Sequence, residues 1–152
     1  MKLISNYLSP NRSTAMTAVQ SQKTHRIEYP ERTLKRAARG MKCLPFKLKL
    51  FVTMRDRSVP LLAIVDSVGV QNNYTRSPLT ERSVENGLLW LIQLGVLRRE
   101  VDGQGITDSF RLTPLGRQLV AGWEQSPGEI PPPSWGDRLY NFLNRWVRFP
   151  LF

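Results

Sequence analysis

Hydrophobic residues recur at intervals of three and four along the first half of the chain, and this spacing predicts amphipathic helices. The first predicted helix covers Glu31 to Arg39, because Pro30 suits a helix start and Gly40 suits a helix stop. A second helix is predicted to begin at Pro45. Its apolar face would consist of Phe46, Leu50, Phe51 and Met54.

Two further helices are predicted on either side of a polar loop with the sequence QNNYTRSP. The first is expected to end at Gly69, acting as a left-handed cap, and its apolar face holds Leu61, Ile64, Val65 and Val68. Thr80 is the predicted N-cap of the second, which covers Glu81 to Leu94. Gly87 would admit a close helix contact beside a buried stripe of Val84, Leu88, Leu91 and Ile92.

A β-hairpin is predicted directly after this helix. The segments VLRREV and ITDSFRL flank DGQG, whose glycines suit the positive φ angles of a tight turn. Alternation in the second strand predicts that Ile106, Phe110 and Leu112 face inward. Thr113 and Pro114 then begin another helix, whose apolar face comprises Leu115, Leu119, Val120 and Trp123.

The order of three helices, hairpin and helix from Pro45 to Trp123 resembles the winged helix-turn-helix superfamily. Two stretches carry the resemblance: GLLWLIQLGVLRRE is similar to the passage from recognition helix to wing, and FRLTPLGRQL to the passage from wing to closing helix. The whole chain also resembles uncharacterised winged-helix proteins of cyanobacteria. The resemblance implies a mainly α fold with a small β-hairpin wing and with added N-terminal and C-terminal helices.

Four segments are expected along the chain. They are a basic disordered arm over residues 1–29, a winged helix-turn-helix domain over 30–124, a proline-rich linker over 125–134 and an amphipathic helix over 135–149.

The resemblance implies that the helix from Glu81 lies in the major groove of duplex DNA and that its outward residues meet base edges. These residues are Arg82, Ser83, Asn86 and Gln93. An arginine side chain can bind guanine in bidentate fashion, and asparagine or glutamine can bind adenine. The alternative is that the four polar side chains simply cover a solvated helix face.

The net charge of +10 lies entirely in the first 60 residues, which hold 13 Lys and Arg and three acidic residues. Such a segment attracts a polyanion or only keeps the protein soluble. Acidic residues at Glu81, Glu85 and Asp102 oppose DNA binding at the recognition helix and the hairpin tip, so the attraction is assigned to a basic flank. This basic flank consists of Lys47, Lys49, Arg55, Arg57, Arg98, Arg99 and Arg111.

Two aromatic positions admit two interpretations each. Tyr74, together with Arg76, either contacts a phosphate or closes the loop before the recognition helix. Trp90, together with Leu89, lies toward the outward side of that helix and either contacts another surface or belongs to the core.

Six large apolar residues recur on one face of the C-terminal helix. They are Trp135, Leu139, Phe142, Leu143, Trp146 and Val147. Such a helix docks on its own domain, pairs with a second subunit or another protein, or lies on an anionic membrane surface. We favour docking or pairing, because folded tails rarely expose six large apolar residues.

The sequence offers no catalytic constellation, because His25 is the only histidine and Cys43 has no evident basic partner. A single cysteine also excludes an internal disulfide, no apolar run is long enough to span a bilayer, and no cofactor or metal is expected. We therefore predict a cytoplasmic, non-enzymatic regulatory protein that reads duplex DNA with helix 80–94. The alternative is a winged-helix adaptor for protein interactions, associated with a membrane through its C-terminal helix.

Overall fold

The computed structural model describes residues 27–146, so the predictions for residues 1–26 and for residues 147–149, including Val147, lie outside the described part of the chain. The described residues are mainly helical, with six α-helices, one short 3-10 helix (Leu61–Ala63) and a three-stranded antiparallel sheet. The helices are α1 (Glu31–Lys42), α2 (Leu48–Asp56), α3 (Asp66–Gln71), α4 (Glu81–Gln93), α5 (Pro114–Gln125) and α6 (Trp135–Trp146). The strands are β1 (Val59–Pro60), β2 (Leu97–Asp102) and β3 (Gly105–Leu112).

The predicted hairpin is present as β2 and β3, and the short strand β1 joins it to give the sheet order β1-β3-β2. Val59 of β1 lies opposite Phe110 of β3. The hairpin turn has Asp102 opposite Gly105, and only the second of its glycines has a positive φ, at 124°. The Asp102 carboxylate stabilises the turn by accepting the Gln104 N–H at 2.7 Å.

One hydrophobic core joins α1, α2, α4, α5 and the sheet. The rings of Phe46 and Phe51 meet edge to face at its centre, with centroids 6.3 Å apart. Ile130, from the proline-rich linker, is also buried in this core. The linker is therefore packed on the domain at Ile130 and does not act only as a spacer.

Two predicted helix boundaries were wrong. Helix α1 continues through Gly40, because this glycine is buried against α4, where an added Cβ would overlap the end of Leu94 and approach Trp90 Nε1 to 3.4 Å. Helix α2 begins at Leu48 instead of Pro45, because Phe46 is extended and forms a β-bridge with Thr75. The predicted caps Thr80 and Thr113 are confirmed, since each side chain accepts a backbone N–H of the helix that follows.

The helix predicted through Leu61 and Gly69 was also wrong, because the segment forms a 3-10 helix and then the separate helix α3. Gly69 is no cap: it lies inside α3, where an added Cβ would overlap the backbone carbonyl of Ile64. Val68, predicted on the apolar face, is exposed. Ile106, predicted to face inward, is 74% exposed because the hairpin tip extends past the helices that cover Phe110.

Candidate nucleic-acid interface

Helix α4 presents one continuous exposed stripe to solvent. Arg82, Asn86 and Gln93 are all exposed, and their spacing of four and seven residues aligns them on one side of the helix, with the half-buried Leu89 between them. Ser83 lies outside this stripe: its hydroxyl accepts a hydrogen bond of 3.0 Å from the Thr80 hydroxyl at the helix start. The structure therefore brings together three of the four predicted base-contacting residues.

Of the three acidic residues that opposed an anionic partner, Glu81 and Asp102 are exposed, and Glu85 is bound within the domain. Glu85 is half-buried and faces Arg99, whose guanidinium lies 4.0 Å from its carboxylate. Asp108 forms a closer ion pair with the same arginine, at 3.0 Å. Arg99 also lies 5.2 Å from the centre of the Phe110 ring, so it connects α4 to the hairpin.

The basic flank divides into two groups. Arg55, Arg99 and Arg111 are half-buried in contacts within the domain, while Lys49, Arg57 and Arg98 are exposed. A hydrogen bond of 2.5 Å with Glu124 raises the pKa of Arg55 above its usual range. Arg111 pairs with Glu100 at 3.5 Å and donates to the Asp56 carbonyl at 2.9 Å. Only the second group is available to a polyanion without breaking such contacts.

Lys47 and Lys49 lie at an open groove between the start of α2 and the loop before α4. Lys47 donates to the Asn73 side chain at 2.6 Å, and the Arg76 N–H donates to the Pro45 carbonyl at 3.2 Å. The groove is lined by both lysines with Asn73, Arg76, Glu124 and Glu129 among others. Two carboxylates thus share the groove with the cations and weaken its attraction for phosphate.

Both ambiguous aromatic residues belong to the core. Tyr74 is buried, so it closes the loop and does not reach a phosphate, whereas Arg76 beside it is exposed. Trp90 is buried as well, and its Nε1 donates to the Asn141 side chain of α6 at 3.1 Å. This hydrogen bond lies one helical turn from Asn86 and from Gln93, so α6 contacts the helix that carries the exposed stripe.

Helix α6 docks on the domain through its polar side. The Asp137 carboxylate accepts from Arg39 Nε of α1 at 3.1 Å and from the Ser134 N–H, and the same Arg39 lies 4.1 Å from the centre of the Tyr140 ring. The hydrogen bond from Ser134 and the contact with Arg39 both lower the pKa of Asp137. Asp137 and Asn141 are half-buried, lie four residues apart and form the docked side.

The predicted apolar stripe faces away from the domain. Trp135 and Trp146 are 79% and 69% exposed, and the side chains between them on the same face are exposed too, namely Leu139, Phe142 and Leu143. The pairing of this stripe with a second subunit or another protein stays a prediction, but the stripe does not dock on its own domain, so that half of the expectation was wrong. The physical reason is that Arg39 and Trp90 offer polar partners, which bind the Asp137 and Asn141 side of the helix.

Cys43 lies at the junction of α1 and α6. Burial raises the pKa of its thiol, and the Asp137 carboxylate raises it further, whereas Arg138, Arg39 and Lys42 act in the opposite direction. Three cations therefore surround this junction.

Among residues 27–146, no group of three or more His, Cys, Asp or Glu side chains could hold a metal ion. Over the same residues, no helix combines the length and the apolar character needed to cross a membrane.

A family model described as Npun_F0494-like matches residues 27–145. The chain belongs to the Npun_F0494-like family. The family takes its name from a cyanobacterial locus, in agreement with the cyanobacterial part of the resemblance, while its description does not mention a winged helix. The match of the Npun_F0494-like family runs through α6 to Arg145, so this helix is part of the family segment. No curated protein and no solved structure matches the chain.

Proposed function

We propose that this Npun_F0494-like protein is a non-enzymatic regulator that binds duplex DNA through a winged helix-turn-helix domain, with α4 in the major groove. The observation that carries the proposal is the exposed stripe of Arg82, Asn86 and Gln93 on one side of α4. These residue types suit direct readout of guanine and adenine. The element order from α2 to α5 and the sheet order β1-β3-β2 support the same domain type.

Attraction to the DNA backbone is assigned to the exposed cations of the basic flank. Lys49, Arg57 and Arg98 are exposed, whereas Arg55, Arg99 and Arg111 keep the domain together. The excess positive charge of the first 60 residues adds to this attraction. Affinity should therefore depend strongly on salt, because each phosphate contact releases a counterion.

Titration of the full chain with duplex DNA at several salt concentrations tests the proposal. We expect micromolar or tighter binding at low salt, and a logarithm of affinity that falls linearly with the logarithm of salt concentration. A folded protein that forms no complex with any duplex at low salt would contradict DNA binding.

Selection from random duplexes then separates base readout from backbone contact. Asn86→Ala should relax the preference at one base position by about 1–3 kcal/mol, whereas Lys49→Ala should weaken binding to all sequences alike. Ser83→Ala is the matched control, because the Ser83 hydroxyl belongs to the start of α4 and not to the stripe. The same selected motif from the intact protein and from Asn86→Ala would refute readout by α4.

The second candidate is an adaptor for protein interactions, and the exposed apolar residues favour it. Besides the stripe on α6, Val101 and Ile106 form an exposed cross-strand pair near the hairpin tip, where a DNA-binding wing would benefit from cations. Absence of DNA binding at low salt, with the protein folded, would favour this candidate.

A further inference from the structure

The outward face of α6 is a continuous apolar surface without a partner in the described chain. Trp135, Leu139, Phe142, Leu143 and Trp146 follow one another at helical spacing on this face, and all five are exposed. The opposite side of the helix is already occupied by Arg39 and Trp90. Since the polar side binds the domain, the apolar side is held facing outward, where a contiguous patch of this kind marks a contact site.

The charges around this face are positive. Arg138 and Arg145 are seven residues apart, which places them on the same edge of the apolar face. On α1, Arg32 and Arg36 are exposed on the same side as Arg39, which contacts α6. Among the described residues, these four exposed or flanking arginines, Arg32, Arg36, Arg138 and Arg145, form no ion pair.

A second copy of the helix is a poor match for this surface. In an antiparallel pair of α6 helices, equivalent edges would meet, so Arg138 of one copy would approach Arg145 of the other. The only acidic residue of α6 is Asp137, and it is bound to Arg39 and Ser134. The second copy would therefore bring further cations and no carboxylate to compensate them, whereas an anionic surface would match the charge of the edge that carries Arg138 and Arg145.

The aromatic residues and the length of the helix point to the same kind of surface. Tryptophan stands at both ends of α6, and indole rings favour the boundary between water and hydrocarbon. The 12 residues of α6 extend about 18 Å, which is too short to span a bilayer but suits a helix lying in its plane. We propose that the apolar face of α6 binds an anionic lipid bilayer, with the flanking arginines at the lipid phosphates.

Vesicle binding by the full chain tests this proposal. The probes are vesicles of pure phosphatidylcholine and mixed vesicles of phosphatidylcholine and phosphatidylglycerol, with flotation to measure bound protein. Brominated lipid in the mixed vesicles would report insertion of Trp135 and Trp146 by quenching tryptophan fluorescence. We expect binding and quenching with the mixed vesicles and little binding to the neutral ones, because both the apolar face and the arginines are needed.

Two double variants test whether vesicle binding depends on the apolar face of α6. The alternatives are nonspecific hydrophobic binding and attraction by the basic N-terminal segment. Leu139→Ser with Phe142→Ser should weaken binding to the mixed vesicles about tenfold or more and abolish quenching, since two large side chains no longer leave water. Val101→Ser with Ile106→Ser is the matched control, because it removes an apolar pair at the hairpin that is more exposed than Leu139 and Phe142. This control should bind and quench as the intact protein does.

Arg138→Gln with Arg145→Gln keeps the apolar face, so it tests the charge separately, and we expect weaker binding that approaches the neutral-vesicle level. Equal binding by the intact protein and the α6 serine variant, with circular dichroism showing both folded, would overturn the proposal. Light scattering without lipid could instead show a dimer that the serine variant does not form. Such a dimer, in a protein that does not bind vesicles, would assign the face to a second copy. Either result is distinct from the outcome of the DNA titration, which uses the intact chain without lipid.

Discussion

Replacing Gly69 with alanine tests how closely α3 packs against the segment that precedes it. The added Cβ would overlap the carbonyl oxygen of Ile64, with its carbonyl carbon at 2.7 Å and the Thr75 hydroxyl at 3.0 Å. Overpacking a buried site costs about 1–3 kcal/mol, and the upper end applies because backbone cannot rotate aside. Alanine recovers about 1 kcal/mol of helix propensity. We therefore expect the free energy of unfolding to fall by about 2 kcal/mol.

The matched control is Gly122→Ala in α5, where nothing lies within 4 Å of an added Cβ. This substitution should raise the free energy of unfolding by about 0.5–1 kcal/mol, because only the helix propensity changes. Denaturant unfolding followed by circular dichroism measures both variants. If Gly69→Ala is as stable as the unaltered protein, α3 does not lie in close contact with the Ile64 carbonyl. The division of this segment into a 3-10 helix and the separate helix α3 would then also be wrong.

Two further predictions concern the junction of α1 and α6. The depressed pKa of Asp137 means that its ionised form stabilises the docked helix above the unfolded pKa of about 4, and that this contribution is lost as pH falls below it. Amide hydrogen exchange of α6 should therefore accelerate relative to α5 at acid pH, and Asp137→Asn should remove that pH dependence; unchanged protection across the range would contradict the docking. The raised pKa of Cys43 predicts slower alkylation than that of a free thiol at mildly alkaline pH, and Asp137→Asn should speed the reaction. Alkylation as fast as that of a free thiol would show that the junction is open.

Local signals were enough to predict most helix starts and the hairpin. They did not show whether a given glycine ends a helix or admits a close neighbour. Thr80 and Thr113 were found because a capping side chain acts within three residues of itself. A glycine that ends a helix and a glycine that admits a neighbour look alike in sequence. Gly95 does have the positive φ of a helix end, at 80°, whereas Gly40 and Gly69 are contact points whose partners lie elsewhere in the chain.

Alternation along β3 gave the correct side for Phe110 and Leu112 and the wrong one for Ile106. The pattern presupposes that the whole strand is covered, but the hairpin tip carries Ile106 beyond the core, where it pairs with the exposed Val101. Only the packing of the helices around the sheet determines where the covered part of the strand ends.

The candidate site was predictable where it depends on one helix. The helical period alone aligns Arg82, Asn86 and Gln93, whereas Ser83 is exposed as predicted but lies beside this stripe, with its hydroxyl bonded to Thr80. The basic flank could not be sorted in advance, since Arg55 is held by Glu124, 69 residues away. The docked side of α6 depends in the same way on distant partners, although its amphipathic pattern was clear in the sequence.

The hydrogen bond from Trp90 to Asn141 makes two surfaces of this protein share one indole group. Asn86 and Gln93 lie one turn away from Trp90 on α4, and Phe142 follows Asn141 on α6. If a ligand on α4 and a ligand on α6 each favour one position of this indole, both ligands act on the same equilibrium between indole positions. Because binding free energies are reciprocal, the factor by which occupancy of α6 changes affinity at α4 must equal the factor by which occupancy of α4 changes affinity at α6.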